Sequence, residues 1–168
     1  MNNLQKSINK YKAVQKRFKE TNVSTDTEFQ RMFSGFYRVR RNAEWKGAYF
    51  RLFEEIKSKP DVTFDDILDG LYAKTKRVEA SFASKMLATV NVSMPIWDKF
   101  VLQNLHLKVP AKSGSEKIAA VKETYKKIVA WYQTDEARKH LDRFNKTYPD
   151  CDISDVKKTD FSLWSDRD

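Results

Sequence analysis

Apolar residues recur at steps of three and four along most of the chain, and polar residues fill the intervals between them. This period places the apolar side chains on one face of a helix, because an α-helix turns once in about 3.6 residues. Only four glycines and four prolines interrupt the chain, and strand-like alternation is nearly absent. The pattern predicts an all-α fold: a compact multi-helix single domain over residues 1–168.

Capping and stop signals divide the first half of the chain into helices. A first helix over residues 1–22 has an apolar stripe and a basic outer face. That stripe either packs on the core or lies on an acidic membrane, and the basic face can also lie on a phosphate backbone. Pro60 ends a later helix, and Thr63 with Asp66 forms a capping box that starts the next one.

The C-terminal half is predicted to follow a loop at residues 108–115. Ser115 is expected to cap a long helix, and further helices continue through residues 115–168. The apolar face of the long helix is either core or a dimer seam, because its positions repeat at near-heptad steps. These positions are Ile118, Val121, Tyr125, Ile128 and Tyr132.

Residues 79–101 contain the most informative interruption of the helical pattern. Apolar positions continue to Val90, and Pro95 then removes a backbone donor and disfavours helical geometry at the residue before it. We expect one helix to end near Asn91, a short crossing through Pro95, and a second helix that opens at Asp98. Two interpretations are open: Asp98 only caps its helix, or it is an oriented carboxylate with a chemical role.

The sequence of the crossing resembles a segment of a known enzyme superfamily. Residues 95–101 read P-I-W-D-K-F-V, which is similar to the V/I-P-V-D-T-H-V segment of the HhH-GPD DNA glycosylases. The resemblance covers residues 63–108, and small helical proteins of bacteria and phages share it. It implies an HhH-GPD-like architecture, with Asp98 as the catalytic carboxylate. It also implies that Lys85 is the lysine that some members use as a nucleophile.

The hairpin of that superfamily is degenerate in this chain. Members carry a glycine-rich turn of the form L-P-G-V-G, whose backbone N–H groups hold a DNA phosphate. The matching residues 75–82 contain no glycine. Lys76 and Arg77 are therefore the candidates for phosphate binding at this turn. The interval between Lys85 and Asp98 is also shorter than the corresponding interval in the superfamily.

The charge balance favours a polyanionic partner. Thirty-two Lys and Arg residues against 23 Asp and Glu residues give a formal net charge of +9. Most of the excess lies in residues 1–77, which favours nucleic acid first and an anionic membrane second. The alternative is a generally basic surface without such a partner. We expect a cytoplasmic protein, because no apolar run approaches transmembrane length and the N-terminus lacks the apolar core of a signal peptide.

Aromatic and basic side chains interleave at residues 36–42. Such side chains stack on bases and pair with phosphates, so we predict nucleic-acid contacts for Arg38, Arg40 and Arg41. The alternative is that they are cations at a helix end, where they complement its dipole. Lys99 joins the predicted nucleic-acid contacts. The predicted base pocket consists of the aromatic residues Tyr37, Tyr72 and Trp97.

The C-terminal segment follows the K-x-x-D-x-x-L-W pattern of the small relatives, with Lys157 and Asp160 in those places. In one interpretation Lys157 and Lys158 reach a shared cleft and bind nucleic acid. In the other, Leu163 and Trp164 anchor the tail to the core while the lysines are solvated.

Other chemistry is not indicated. The chain has no P-loop, no dinucleotide glycine fingerprint and no H-E-x-x-H motif, so we predict no cofactor and no metal site. The one cysteine, Cys151, excludes an internal disulfide. Glu79 and Asp98 are expected to face one another across the crossing. A carboxylate near Lys85 is expected to keep that amine protonated.

Three functional hypotheses follow from these patterns. In the first, the chain is a DNA-binding protein that acts as a base-excision DNA glycosylase on a flipped damaged base, with Asp98 stabilising positive charge on the sugar. In the second, it is a non-catalytic nucleic-acid-binding module on the same scaffold. In the third, it is an interaction module whose basic face binds an acidic protein. Whether the chain is an enzyme stays open, as does its oligomeric state.

Overall fold

The computed structural model describes residues 2–109 and 113–166. Within these ranges the chain forms nine α-helices and no strand. They are α1 (Asn3–Glu20), α2 (Thr27–Tyr37), α3 (Ala43–Lys57), α4 (Phe64–Thr75), α5 (Ala80–Val90), α6 (Lys99–Asn104), α7 (Gly114–Trp131), α8 (Asp135–Thr147) and α9 (Asp155–Ser165). The predicted all-α fold is confirmed. Among the helices of the described ranges, none is long and apolar enough to span a membrane.

Local capping signals set several of the helix boundaries. Thr63 and Asp66 form the predicted capping box, in which Asp66 N donates to Thr63 Oγ1 and Thr63 N donates to Asp66 Oδ2, both at 3.1 Å. One predicted boundary is wrong, because α7 begins at Gly114 and Ser115 lies in its first turn. Gly114 adopts a φ of +63°, which glycine accepts without strain. The predicted loop before α7 includes residues 110–112, which lie outside the described residues.

Aromatic rings fill the centre of the core between α2 and α3. Phe29, Phe33, Phe50 and Phe53 are all fully buried. The ring centroids of Phe33 and Phe53 are 5.2 Å apart at an interplanar angle of 79°, the edge-to-face arrangement that aromatic rings favour. Side chains of α4, α5 and α7 pack around this centre and form one continuous core with it.

The repeating apolar face of α7 belongs to this core. Val121, Tyr125 and Ile128 are buried within the single chain. The core interpretation of that face is therefore confirmed. The dimer-seam interpretation is wrong for these three positions, because they are already buried and not available to a second chain. Ile118 and Tyr132, at the two ends of the face, are half-buried.

The first helix packs on α2 and α9 through its apolar stripe. Ile8, Tyr11, Val14 and Phe18 are all buried. The stripe that would enter a membrane surface is thus used inside the protein. The basic side chains of the opposite face remain exposed, and they include Lys6, Lys10, Lys16 and Lys19.

Two side chains hold the crossing between α5 and α6. Ser84 Oγ, on α5, accepts a hydrogen bond from Trp97 N at 2.6 Å. The Tyr125 hydroxyl, on α7, donates to Pro95 O at 2.6 Å. These bonds satisfy buried backbone groups that no helix pairs, and they fix the point at which α6 begins.

We expect Ser84→Ala to lower the free energy of unfolding by about 1–3 kcal/mol, because the buried N–H of Trp97 would lose its acceptor. Urea unfolding measures this change. Ser115→Ala is the matched control, since Ser115 is exposed and its loss should change stability by less than about 0.5 kcal/mol. If Ser84→Ala is as stable as this control, the hydrogen bond does not hold the crossing.

Candidate functional site

A hollow of about 520 Å³ opens where the end of α2, the middle of α5 and the start of α6 meet α1 and α9. We call it the Asp98 hollow. The two residues predicted to be catalytic, Asp98 and Lys85, both border it. Its other wall residues include Lys10, Gly35, Phe36, Tyr37, Arg38 and Trp164.

Asp98 is half-buried at the edge of this hollow. Its Oδ1 accepts a hydrogen bond from Phe100 N at 2.7 Å, which caps α6. Its Oδ2 accepts a hydrogen bond from the indole Nε1 of Trp164 at 3.0 Å. The structure confirms that Asp98 caps its helix, and whether it does only this stays open. Capping does not exclude a chemical role, because the same carboxylate borders the hollow and is held in one direction by two donors.

The Lys85 amine is half-buried in the same hollow, and its Nζ donates to Tyr37 O at 3.1 Å. Burial lowers the pKa of Lys85 to about 8. Asp98 opposes this shift, while Lys157 and Arg38 add to it. A nearby carboxylate does favour the protonated amine, as expected, but burial outweighs it and the pKa falls.

Glu79 does not face Asp98, and the prediction of such a pair is wrong. The Glu79 side chain is buried, and its Oε1 accepts from Arg41 Nη1 at 2.7 Å. The Arg41 guanidinium also lies 5.0 Å from the ring centroids of Trp45 and Phe82. Glu79 therefore compensates the charge of Arg41, whose side chain stays 27% exposed and within reach of an external group.

A second hollow of about 680 Å³ lies where α4 meets α5 and α7 begins. We call it the Arg77 hollow. Its basic side chains are Arg41, Lys76, Arg77 and Lys117. Tyr72 lines this hollow and not the Asp98 hollow, so the prediction that Tyr72 shares a base pocket with Asp98 is wrong.

In the turn between α4 and α5, two backbone N–H groups already donate hydrogen bonds to neighbouring residues. Lys76 ends α4 in left-handed geometry at a φ of +60°, and its N–H donates to Tyr72 O at 2.8 Å. Arg77 N donates to Thr75 Oγ1 at 3.2 Å. An anion at this turn therefore meets the exposed side chains of Lys76 and Arg77 rather than these N–H groups.

Trp97 belongs to the core. It is buried, and its ring lies parallel to that of Phe64 with the centroids 6.5 Å apart. The prediction of Trp97 as a base-pocket residue is wrong, because the crossing anchors its backbone and turns the ring inward. Tyr37 does border the Asp98 hollow, although most of its surface is covered.

Lys157 is inside the protein, with its Nζ 3.2 Å from Asp160 Oδ2. The predictions that it binds nucleic acid or is solvated are both wrong, because only 1% of its side chain is exposed. Lys158 is half-buried and donates to Asn145 Oδ1 at 2.9 Å. Leu163 anchors the tail in the core as predicted.

The other predicted nucleic-acid contacts lie at the surface. Arg38, Arg40 and Lys99 are all exposed. Arg38 follows α2 in left-handed geometry at a φ of +56°, and it borders the Asp98 hollow. Whether these side chains contact nucleic acid stays a prediction.

Sequence reasoning missed two features of the Asp98 hollow. The first is the hydrogen bond from Trp164 to Asp98, which no local pattern encodes. The second is Gly35, for which the sequence did carry a signal, since a glycine within a helix is unfavourable by roughly 1 kcal/mol. A Cβ atom at Gly35 would meet nothing within 4 Å, so the missing side chain leaves this wall open.

Comparisons of the chain with protein-family models, curated proteins and solved structures found no match. The likeness of residues 95–101 to the glycosylase segment therefore stays a resemblance.

The lowered pKa of Lys85 predicts a pH-dependent stability. The unfolded chain binds more protons than the folded one between about pH 8 and the ordinary lysine value of 10.5. Lys85 therefore lowers stability most below pH 8, and this penalty disappears as the pH rises to 10.5. We expect Lys85→Met to be more stable than wild type at pH 7, and this advantage to shrink across that window.

Guanidinium unfolding of both proteins at several pH values measures the difference. Lys99→Met, which removes an exposed lysine, is the control and should show no such trend. A difference between Lys85→Met and wild type that stays constant from pH 8 to 10.5 would contradict a lowered pKa.

Proposed function

We propose that this chain is a DNA-binding protein of HhH-GPD-like architecture that cleaves the N-glycosidic bond of a base flipped into the Asp98 hollow. One observation carries the proposal: Asp98 and Lys85 border the same hollow, with Lys10 and Arg38 beside them. A fixed carboxylate, an amine of lowered pKa and nearby cations in one concave site are the groups that this reaction uses.

The size and walls of the Asp98 hollow suit a base. Its volume of about 520 Å³ lies within the roughly 300–1,000 Å³ of small-molecule sites. Enzymes that act on a base draw the nucleotide out of the stack and hold the base between aromatic or apolar side chains. Phe36, Tyr37 and Trp164 supply such side chains here.

Asp98 would supply the negative charge for the reaction. Cleavage of a glycosidic bond develops positive charge on the sugar, and a fixed carboxylate stabilises that charge without reorganising first. The donors Phe100 N and Trp164 Nε1 already set the direction of this carboxylate.

Lys85 offers a second route through a covalent intermediate. With a pKa of about 8, about a tenth of the amine is neutral at pH 7. A neutral amine can attack C1′ of the sugar while the base leaves with the bonding electrons. Opening of the sugar ring then gives a Schiff base, which borohydride reduces to a stable adduct.

The Arg77 hollow would hold the phosphate backbone. Contacts to phosphates position a protein on DNA without reading its sequence. Lys85 lies six residues after Glu79, which corresponds to roughly 9 Å along α5. The basic side chains before α5 and the Asp98 hollow are therefore within reach of one duplex.

Non-catalytic nucleic-acid binding is the second candidate. It is favoured by the two hydrogen bonds on Asp98, since a helix cap and a tail anchor alone would account for both. In that case the basic surfaces would bind nucleic acid, and Asp98 and Lys85 would catalyse no reaction. An acidic protein would use the same surfaces and would show no preference for DNA.

We expect the protein to bind duplex DNA with an affinity that falls steeply as salt rises. Lys76→Gln/Arg77→Gln should weaken binding to every sequence, because phosphate contacts carry no sequence information. Each lost phosphate contact should reduce the slope of log K against log salt by about 1. Fluorescence anisotropy with short duplexes at several salt concentrations measures this slope.

The matched control for this binding prediction removes the same charge elsewhere. Lys139→Gln/Lys146→Gln changes two exposed lysines of α8, and its slope should equal that of wild type. A slope unchanged in Lys76→Gln/Arg77→Gln would show that the Arg77 hollow does not contact DNA.

Incubation with duplexes that carry uracil, alkylated or oxidised bases is expected to give an abasic product on at least one lesion. Asp98→Asn should lower the rate of excision by about 10²-fold or more, because it removes the charge that stabilises the transition state. Asp26→Asn is the matched control, since Asp26 caps α2 by accepting from Phe29 N at 2.7 Å. It alters a helix cap away from the hollow and should keep the wild-type rate.

A space-filling variant tests the hollow itself. A Cβ atom at position 35 would meet nothing within 4 Å, and leucine is favoured over glycine in a helix by roughly 0.8 kcal/mol. Gly35→Leu should therefore stay folded and lose excision. Borohydride trapping that disappears in Lys85→Met would separately identify the amine as nucleophile. Absence of abasic product on every lesion, or a wild-type rate in Asp98→Asn, would leave only the non-catalytic candidate.

A further inference from the structure

The tail helix α9 contains a buried ion pair that the proposed reaction does not use directly. Lys157 and Asp160 are one turn apart, and their Nζ and Oδ2 atoms are separated by 3.2 Å. Only 1% and 2% of their side chains are exposed. Removing two charges from water is costly, so such a pair requires partners that compensate it.

Three aromatic rings surround the Lys157 ammonium. Its Nζ lies 5.2 Å from the ring centroid of Tyr11, 5.6 Å from that of Tyr37 and 5.4 Å from that of Trp164. A cation near aromatic ring faces is attracted by their quadrupoles, and more strongly when it is desolvated. Burial acts to lower the pKa of Lys157, but its surroundings, chiefly Tyr37 and Asp160, raise it above the ordinary value. The ammonium therefore keeps its charge at neutral pH.

The partner carboxylate is also held by another helix. The Tyr132 hydroxyl, which follows α7, donates a hydrogen bond to Asp160 Oδ1. Burial raises the pKa of Asp160, while Lys157 and Tyr132 oppose this shift. The ion pair thus joins α1, α2, α7 and α9 at one point.

This point lies directly behind the Asp98 hollow. Tyr37 and Trp164, two of the rings around Lys157, also border the hollow. Trp164 in turn donates its indole N–H to Asp98 Oδ2 at 3.0 Å. On α9 the residues Lys157, Asp160 and Trp164 follow one another at steps of three and four, so they lie on one face.

We propose that Lys157 and Asp160 are positioning residues: their paired charges hold the Trp164 ring, and the Trp164 indole holds the Asp98 carboxylate in the hollow. This inference rests on the proposed function for its chemical meaning. The chain of contacts itself is independent of any reaction.

A buried ion pair is weak evidence for a stabilising role. Replacing a buried pair with apolar side chains of similar volume is often neutral or stabilising. Within the described part of the chain, Lys157 Nζ and the Tyr37 hydroxyl also lack a hydrogen-bond partner of good geometry. An arrangement that leaves such groups unsatisfied is unfavourable for folding, and it is consistent with a role in fixing the wall of the hollow.

Lys157 also acts on the Lys85 amine in the hollow. The charged and titratable groups around Lys85 are Asp98 before α6, Tyr37 and Arg38 at the end of α2, and Lys157 on α9. Lys157 disfavours the protonated form of Lys85. Loss of the Lys157 charge should therefore raise the pKa of Lys85.

The test uses Lys157→Met/Asp160→Asn in the full chain, because this variant removes both charges and keeps similar volumes. Proton–nitrogen NMR follows the indole N–H of Trp164, assigned with Trp164→Phe. We expect its resonance to move and its exchange with solvent to quicken about tenfold, as for the loss of one hydrogen bond. Carbon NMR should show the titration midpoint of Lys85 moving above about 8.

Lys158→Met is the matched control, since Lys158 is the next residue on the same helix and bonds to Asn145. It should leave the Trp164 resonance and the Lys85 midpoint unchanged. If the double variant folds with both readouts at their wild-type values, the ion pair is structural only and the inference is overturned.

If the double variant does not fold, a milder variant tests whether the ion pair positions Trp164. Tyr132→Phe removes only the hydroxyl that donates to Asp160. It should move the Trp164 resonance in the same direction by a smaller amount, and an unmoved resonance would overturn the inference. A wild-type protein that excises no lesion refutes the proposed function, whereas these NMR readouts still decide the positioning role.

Discussion

The start of α6 is fixed by hydrogen bonds that neighbouring helices make to a short non-helical backbone. Ser84 and Tyr125 pair with buried backbone groups of residues 95–97, which lie between two helices and have no partner within either. Because an unpaired buried group is costly, the crossing cannot slide without losing these bonds. The place of Asp98 is therefore determined by α5 and α7 as much as by its own helix, and the hollow is arranged around this point.

The helical fold was predictable because its determinants act within a few residues. The period of the apolar positions, the capping box at Thr63 and Asp66 and the stop at Pro95 each work locally. They are sufficient for an all-α fold and for a carboxylate at the start of a helix. The wrong boundary of α7 has the same origin, since Ser113 and Ser115 both suit the start of this helix. Ser113 is the N-cap residue of α7, and its hydroxyl makes no capping hydrogen bond.

The candidate site was predictable only in part, because its lysines look alike in sequence. Burial lowers the pKa of Lys85, whereas Lys157 is buried more deeply and keeps its charge through Asp160 and three aromatic rings. The contacts that build the site join distant segments of the chain. Tyr37 lies 48 residues before Lys85, and Trp164 lies 66 residues after Asp98. The spacing of Lys157 and Asp160 indicates a pair on one helix. It carries no information on how deeply that pair is buried.

The structural and the proposed chemical roles of Asp98 use the same geometry. The N–H groups at the start of a helix hold a carboxylate in one orientation. A solvated carboxylate has no such fixed orientation and would have to reorganise to reach it. Trp164 fixes the second oxygen, so the negative charge has one direction before any ligand arrives. Electrostatic stabilisation is strongest when the charge is already in place and water is excluded. The bonds from Phe100 and Trp164 therefore orient this carboxylate, and a purely structural role and use in the hollow would need the same geometry.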